Sequence, residues 1–161
     1  GSYGHLDAVI NNASIIGKMS SLSDYDLKTW NSVLNINLTA SFLLTKSLLP
    51  ALTGSKMPRI IFTSSGVALT GRAFWGAYAI SKAATKSMAE IFKEELEGTS
   101  HIKVFNFDPG ATRTSMRAFA YPAEDPSKLK EPRELLKCYE WLLSDESKDA
   151  NDLYFTFNSF N

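Results

Sequence analysis

Short apolar runs that end on small polar residues alternate along this chain with stretches whose apolar residues recur every third or fourth position, and that alternation leaves few folds open. The first run, Leu6-Asp-Ala-Val-Ile10, is too short for a helix and meets the turn-forming Asn11-Asn12, so it predicts a buried strand. Ser23 offers an N-cap hydroxyl with Asp26 three positions on. Beyond it Trp30, Val33, Leu34, Leu38, Ser41, Phe42, Thr45, Leu48 and Leu49 keep helical spacing, which predicts one long amphipathic helix to about Pro50. Arg59 to Ser64, behind Gly54 and Pro58, has the branched and aromatic content of a central parallel strand, and Gly66 and Gly71 close it into a loop.

From Gly76 to Glu97, Tyr78, Lys82, Thr85, Ala89, Phe92 and Leu96 share one helical face, with Gly98 as a C-terminal stop. Ile102 to Phe107 predicts a third strand, Tyr121 to Pro132 has no assignable pattern, Arg133 to Leu143 is helical, and Leu153 to Phe157 predicts a last strand. The order β-α-β-α-β-loop-α-β implies a Rossmann-like, doubly wound α/β fold: a mostly parallel sheet with helices on both faces. In such sheets ligands bind outside the carboxyl ends of the strands. Those ends carry Asn11-Asn12, Ser64-Ser65 and Asp108-Pro109-Gly110.

Composition narrows the function. At 161 residues the chain has the size of a single domain, and its 44% hydrophobic residues suffice for one core. Seventeen basic residues are interspersed with 17 acidic ones, so no footprint for nucleic acid or an anionic membrane is expected, and a small ligand fits better. The lone Cys138 sits in an apolar helical pattern and has no internal partner, as suits a buried thiol in a reducing cytoplasm. No stretch approaches the ~20 apolar residues of a membrane span. Neither His5 nor His101 has a second ligand at metal spacing, so no metal is expected.

Tyr78 and Lys82 stand four apart near the start of a helix, so both project from one face. A phenol of pKa about 10 is a poor acid or base at neutral pH, and a neighbouring ammonium would favour its phenolate. Ser65, thirteen residues earlier at the end of a buried strand, could hydrogen-bond a substrate oxygen that the tyrosine approaches. Asn37 falls on the inward stripe of the long helix, where a buried amide needs partners such as a water linked to Lys82. Each piece alone has a structural alternative: a chance Tyr-x-x-x-Lys pair, a Ser-Ser turn, a satisfied core asparagine. Their order and spacing together are far more specific.

These residues resemble the short-chain dehydrogenase/reductase superfamily. The matching stretches are Leu6 to Ser14 for its Asn-Asn-Ala-Gly motif, Trp30 to Leu38 for its helical asparagine, Ile61-Phe-Thr-Ser-Ser65, Tyr78-Ala-Ile-Ser-Lys82 and Pro109-Gly-Ala-Thr-Arg-Thr114. Within it, Gly71 to Lys82, Pro109 to Arg117 and Glu124 to Lys130 resemble the YciK-type group. The resemblance implies an NAD(P)-dependent oxidoreductase that interconverts a carbonyl and an alcohol, with a catalytic tetrad of Asn37, Ser65, Tyr78 and Lys82. Tyr78 would exchange the proton, Lys82 would lower the phenol's pKa and hold the nicotinamide ribose, Ser65 would position the substrate oxygen, and Asn37 would hold a water in the relay. Cofactor contacts would come from Asn11, Ala13, Tyr78, Lys82, Pro109, Gly110, Thr112 and Thr114, with Ser115 to about Leu129 as a variable lid. The family's corresponding helices pair across a two-fold axis, so a homodimer or homotetramer is expected.

Two departures qualify the resemblance. Ser14 stands where the motif has glycine. By comparison with the family, Gly1 to Ser14 matches its fourth strand, so residues 1–161 are expected to be a single partial domain, the C-terminal two-thirds of the fold, without the glycine turn that holds the pyrophosphate or the strand that selects NAD or NADP. These residues by themselves are therefore expected to bind dinucleotide weakly and turn nothing over. The alternatives from another class are a non-catalytic cofactor-sensing or scaffolding relative, or an inactive fragment.

Overall fold

The computed structural model describes residues 4–160, so Gly1, Ser2, Tyr3 and Asn161 of the expected 1–161 domain lie outside the described residues. Four parallel strands form one sheet in the order β1-β2-β3-β4: β1 (Ala8–Asn11), β2 (Arg59–Thr63), β3 (Lys103–Asp108) and β4 (Tyr154–Thr156). The registers are Val9 beside Ile60, Phe62 beside Asn106, and Phe107 beside Phe155. The α/β class and the truncated Rossmann-like arrangement are those expected from the alternation.

Side chains alternate across the sheet and divide the core in two. Val9, Ile60, Phe62 and Val104 face α2 (Ala40–Leu52) and α3 (Gly76–Leu96), packing on Leu52, Ala89 and Phe92. Ile61, Phe105, Phe107 and Phe155 face the other way onto Cys138 and Leu142 of α5 (Leu136–Leu143). All three crossovers step in the same direction across the sheet, yet the first two helices lie on one face and α5 on the other. The last crossover therefore has the opposite hand from the first two, a rare arrangement in parallel sheets. It also carries residues 109–135 across the carboxyl ends of the strands, where they roof the site.

The first predicted strand differs from expectation. β1 is buried on one face only, since Ile10 is 41% exposed, because α5 covers β2 to β4 but does not reach β1. The long helix also differs. Its cap is Asp26, whose side chain accepts from Thr29 N at 2.8 Å, while Ser23 belongs to a preceding single turn, Leu22–Asp24. The helix runs as α1 (Leu27–Leu34), a π-helical turn (Asn35–Thr39) and α2, continuing past Pro50 to Leu52. A π turn inserted in an α-helix often marks a functional position, and this one is centred on Asn37.

α3 starts where only glycine fits. Gly76 has φ 39° and the Tyr25 ring lies 2.3 Å from where a Cβ would stand, while the preceding Phe74 also has positive φ, at 70°. The stretch without a sequence pattern holds α4 (Ser115–Ala120), the single turn Pro126–Lys128 and a parallel bridge between Thr112 and Lys130. The last helix opens on a single turn at Pro132–Leu135 with a reciprocal Glu131/Glu134 cap. Among the described residues no helix is long and apolar enough to cross a membrane.

Candidate active site

A cavity of about 1010 Å³ opens over the carboxyl ends of the strands. Its floor comes from the ends of β2 and β3 and from the first turns of α3: Ser64, Ser65, Tyr78, Lys82 and Asp108. Its roof is the chain from Pro109 to Leu135. The structure brings Ser65, Tyr78, Lys82, Ala13, Pro109, Gly110, Thr112 and Thr114 to this one cavity. Asn11 and Asn37 lie outside it.

Tyr78 and Lys82 are buried, at 7% and 4% exposure. Lys82 Nζ donates to the Thr63 carbonyl at 2.7 Å and stands 5.7 Å from the Tyr78 ring centroid. Burial lowers the Lys82 amine to about 8, partly offset by the negative charge of Asp108. Burial pushes the Tyr78 phenol above its ordinary value, an effect that Asp108 reinforces and the neighbouring Ser65 hydroxyl opposes. The Lys82 ammonium is bonded to Thr63 O, and burial is the largest influence on the phenol.

Asn37 lies behind the cavity floor, outside its lining. It is 2% exposed; its Nδ2 donates to Ile15 O and Ser81 Oγ, each at 2.9 Å, and its Oδ1 accepts from Ile15 N at 2.8 Å. The side chain ties the loop after β1 to α3. Its carbonyl oxygen, in the π turn, receives Ser41 Oγ at 3.1 Å and Thr85 Oγ1 at 3.4 Å. Asn11 points away from the cavity, donating to Thr45 Oγ1 at 2.9 Å, because it alternates with Ile10 and shares the α2 side of β1 with Val9.

Sequence reasoning missed several residues. Asp108, the only carboxylate among the lining residues, accepts from Gly110 N at 2.8 Å and from Tyr154 OH at 3.3 Å. Burial, with Asp108 adding, pushes Tyr154 up to about 12. The Asp108-Pro109-Gly110 end was visible as polar, but nothing in the sequence aims the carboxylate at Lys82. Trp75 and Tyr121 were missed too: the Trp75 ring stands 5.7 Å from Tyr78 and 5.9 Å from Tyr121, which makes an aromatic wall. Ser14, in the place of the motif's glycine, lines the cavity with its hydroxyl buried and unpartnered, as does Ser64. Among the described residues no cluster of three or more His, Cys, Asp or Glu could hold a metal ion.

The ends of a parallel sheet thus bring a serine, a buried tyrosine and a lysine to one cavity. The model of the short chain dehydrogenase family matches residues 1–125, and the chain belongs to that family. It is 41% identical over 154 residues to the oxidoreductase YciK of Escherichia coli, covering 96% of this chain and 60% of that protein. A short-chain dehydrogenase of Shigella flexneri, solved in complex with NADP, superposes with a TM-score of 0.92 at 41% identity over 97% of this chain and 64% of its own. One from Escherichia coli CFT073, complexed with NADPH, gives 0.92 at 41% identity over 96% and 64%. The chain thus spans less than two-thirds of the length of these relatives.

Proposed function

We propose that the protein carrying this chain is an NADP-dependent oxidoreductase that interconverts a carbonyl and an alcohol, with Tyr78 as the acid/base. The observation that carries it is the meeting of a buried tyrosine hydroxyl, a serine hydroxyl and a lysine ammonium on one cavity floor. The NADP and NADPH bound by two relatives of 41% identity support the choice of cofactor. Residues 1–161 are then one part of a larger cofactor-binding domain.

The residues present suit the nicotinamide-ribose end of such a cofactor. Ser14 and Ser64 have buried hydroxyls without partners, and Gly110 turns with φ 65°, so the backbone can approach a ligand closely. Ala13, Pro109, Gly110, Thr112, Thr114 and Lys82 would line it. When bound, the dinucleotide supplies the hydride. Tyr78, its phenol raised by burial and so protonated at neutral pH, gives its proton to the carbonyl oxygen as that oxygen gains charge. Ser65 donates a hydrogen bond to the same oxygen, and the Lys82 ammonium stabilises the phenolate left behind until solvent returns a proton.

In the complete gene product, Tyr78→Phe should cut NADPH-dependent carbonyl reduction by about 10²- to 10⁴-fold while NADPH fluorescence still reports binding. Turnover within a factor of two of the parent would remove Tyr78 from the reaction; the same assay with NADH reads the coenzyme preference.

The same proposal includes pairing of two copies through the helices. Phe42, Leu43 and Leu44 are 41%, 56% and 47% exposed on α2, and Ile80 and Ile91 are 40% and 53% exposed on α3. Such a row of apolar side chains suits a helix-to-helix interface. A light-scattering mass of one copy at high concentration would exclude it.

A further inference from the structure

The part of the cavity remote from the strand ends has an aromatic wall and one uncompensated positive charge. Trp75 links the Tyr78 ring to the Tyr121 ring, and Ile16, Val67 and Met116 pack beside it, so a substrate body lying against this wall meets apolar surface. Two guanidinium groups converge on Tyr121 at the far end. Arg117 lies over its face at 3.8 Å, and Arg72 Nη1 donates to its hydroxyl at 2.8 Å.

The two arginines differ in charge balance. Arg117 is held by Glu124 through two hydrogen bonds of 2.6 Å, which neutralises it. Asp108, the only carboxylate lining the cavity, is faced by Lys82 and Lys130, whose charged forms it supports. Arg72 has no ion-pair partner among the described residues, and its one side-chain bond is to a neutral phenol. Four of its five N–H donors are left for a ligand or water.

The loop that carries Arg72 is also fixed in path. Trp75 N donates to Arg72 O at 3.3 Å and Ser20 N to Phe74 O at 3.1 Å, and the positive φ angles of Phe74 and Gly76 follow directly. A guanidinium held by Tyr121 on a braced loop has already lost much of the freedom that binding an anion would cost it, and its planar fork matches a carboxylate.

We propose that Arg72 receives a carboxylate on the substrate, so that the protein acts on carbonyl compounds with an apolar body and an acid group remote from the reacting carbon. This rests on the proposed carbonyl reduction and adds the substrate class. Trp75, 5.7 Å from the Tyr78 ring and 5.9 Å from the Tyr121 ring, stands between the reacting end and the arginine, so an oxo acid with an intervening apolar body suits the site better than a short one.

The test compares an elongated oxo carboxylic acid with its methyl ester in the complete gene product. The kcat/KM of the acid should exceed that of the ester by roughly two- to fivefold, the worth of a charge pair at an exposed guanidinium. Arg72→Gln should bring that ratio near one, and Arg72→Lys should restore part of it. A ratio near one in the parent, or one that Arg72→Gln leaves unchanged, overturns the proposal. Calorimetry with the non-reacting saturated acid and its primary amide, on NADPH-loaded protein, tests recognition apart from turnover. Acid binding that Arg72→Gln removes supports the inference even where no carbonyl is reduced, in which case the proposed reaction fails alone. Equal binding of acid and amide overturns the inference whatever the turnover.

Discussion

The floor and the roof of the cavity are held by different physics. The floor residues Tyr78 and Lys82 are buried on α3 against the sheet, whose centre carries fully buried Ile60, Ile61 and Phe62. The roof has a six-residue α4, isolated single turns, and side-chain ion pairs at partly exposed positions: Arg113 and Arg133 on Glu131, and Arg117 on Glu124. Burial fixes atoms to a packed geometry, whereas exposed ion pairs are weak and screened by salt. A fixed floor suits proton transfer, which needs hydrogen-bond contact; a loosely held roof suits a lid that must admit substrates.

The largest effect should come from the joint between the floor and the loop after β1. Asn37→Ala leaves the half-buried Ile15 amide and carbonyl without their side-chain partner and removes the donor to Ser81 Oγ, which keeps its own bond to Tyr78 O, and should cost roughly 1–3 kcal/mol in thermal unfolding. A loss below about 0.5 kcal/mol would mean that water replaces the carboxamide freely and the floor is less dry than its burial implies.

Next in size is the charge balance of the floor. Lys82 titrates at about 8 instead of 10.5, so between those values the unfolded chain binds a proton that the folded chain has released. By linkage this site's contribution to stability rises with pH across that window, and the burial cost is fully present below it. Asp108→Asn removes the charge that supports the ammonium, so the Lys82 midpoint should fall further and the window should open at lower pH. Because the neutral amine no longer stabilises a phenolate, the alkaline limb of the activity profile should move the same way. An unchanged Lys82 midpoint in side-chain NMR would detach Asp108 from the floor.

The same division explains what the sequence revealed. Ser65, Tyr78 and Lys82 were legible because strand and helix periodicity fixes which residues share a face, and those periods placed α3 to within a residue of its ends. Asn37 was placed correctly as buried, yet its partners were not legible: Ile15 and Ser81 lie 22 and 44 residues away, and a π turn breaks the 3.6-residue count at that point. The direction of the Asn11 side chain, toward Thr45, was not legible, because the rule that strand ends meet ligands does not say which side of the sheet a side chain takes. The roof had no periodicity to read. Its order depends on bonds such as Lys130 Nζ to Ala111 O at 2.7 Å, which join residues across an irregular chain.

The smallest expected effect separates floor from roof without a mutation. Raising ionic strength from about 0.01 M to 1 M shortens the screening length from about 30 Å to 3 Å, which weakens exposed ion pairs and leaves apolar burial intact. Amide exchange should therefore quicken in the roof, at Arg117 and Ala118, whose N–H groups bond to Thr114 Oγ1 at 3.2 Å and Thr114 O at 3.0 Å in a helix of one and a half turns. The amides of β2 should be unaffected, because their ladder with β1 and β3 lies between two apolar layers. Equal acceleration in both would show that the whole domain opens as one unit, and the roof would then owe its position to the sheet and not to its own charges. Acceleration confined to the roof would mark it as a separately opening unit held by its own charges.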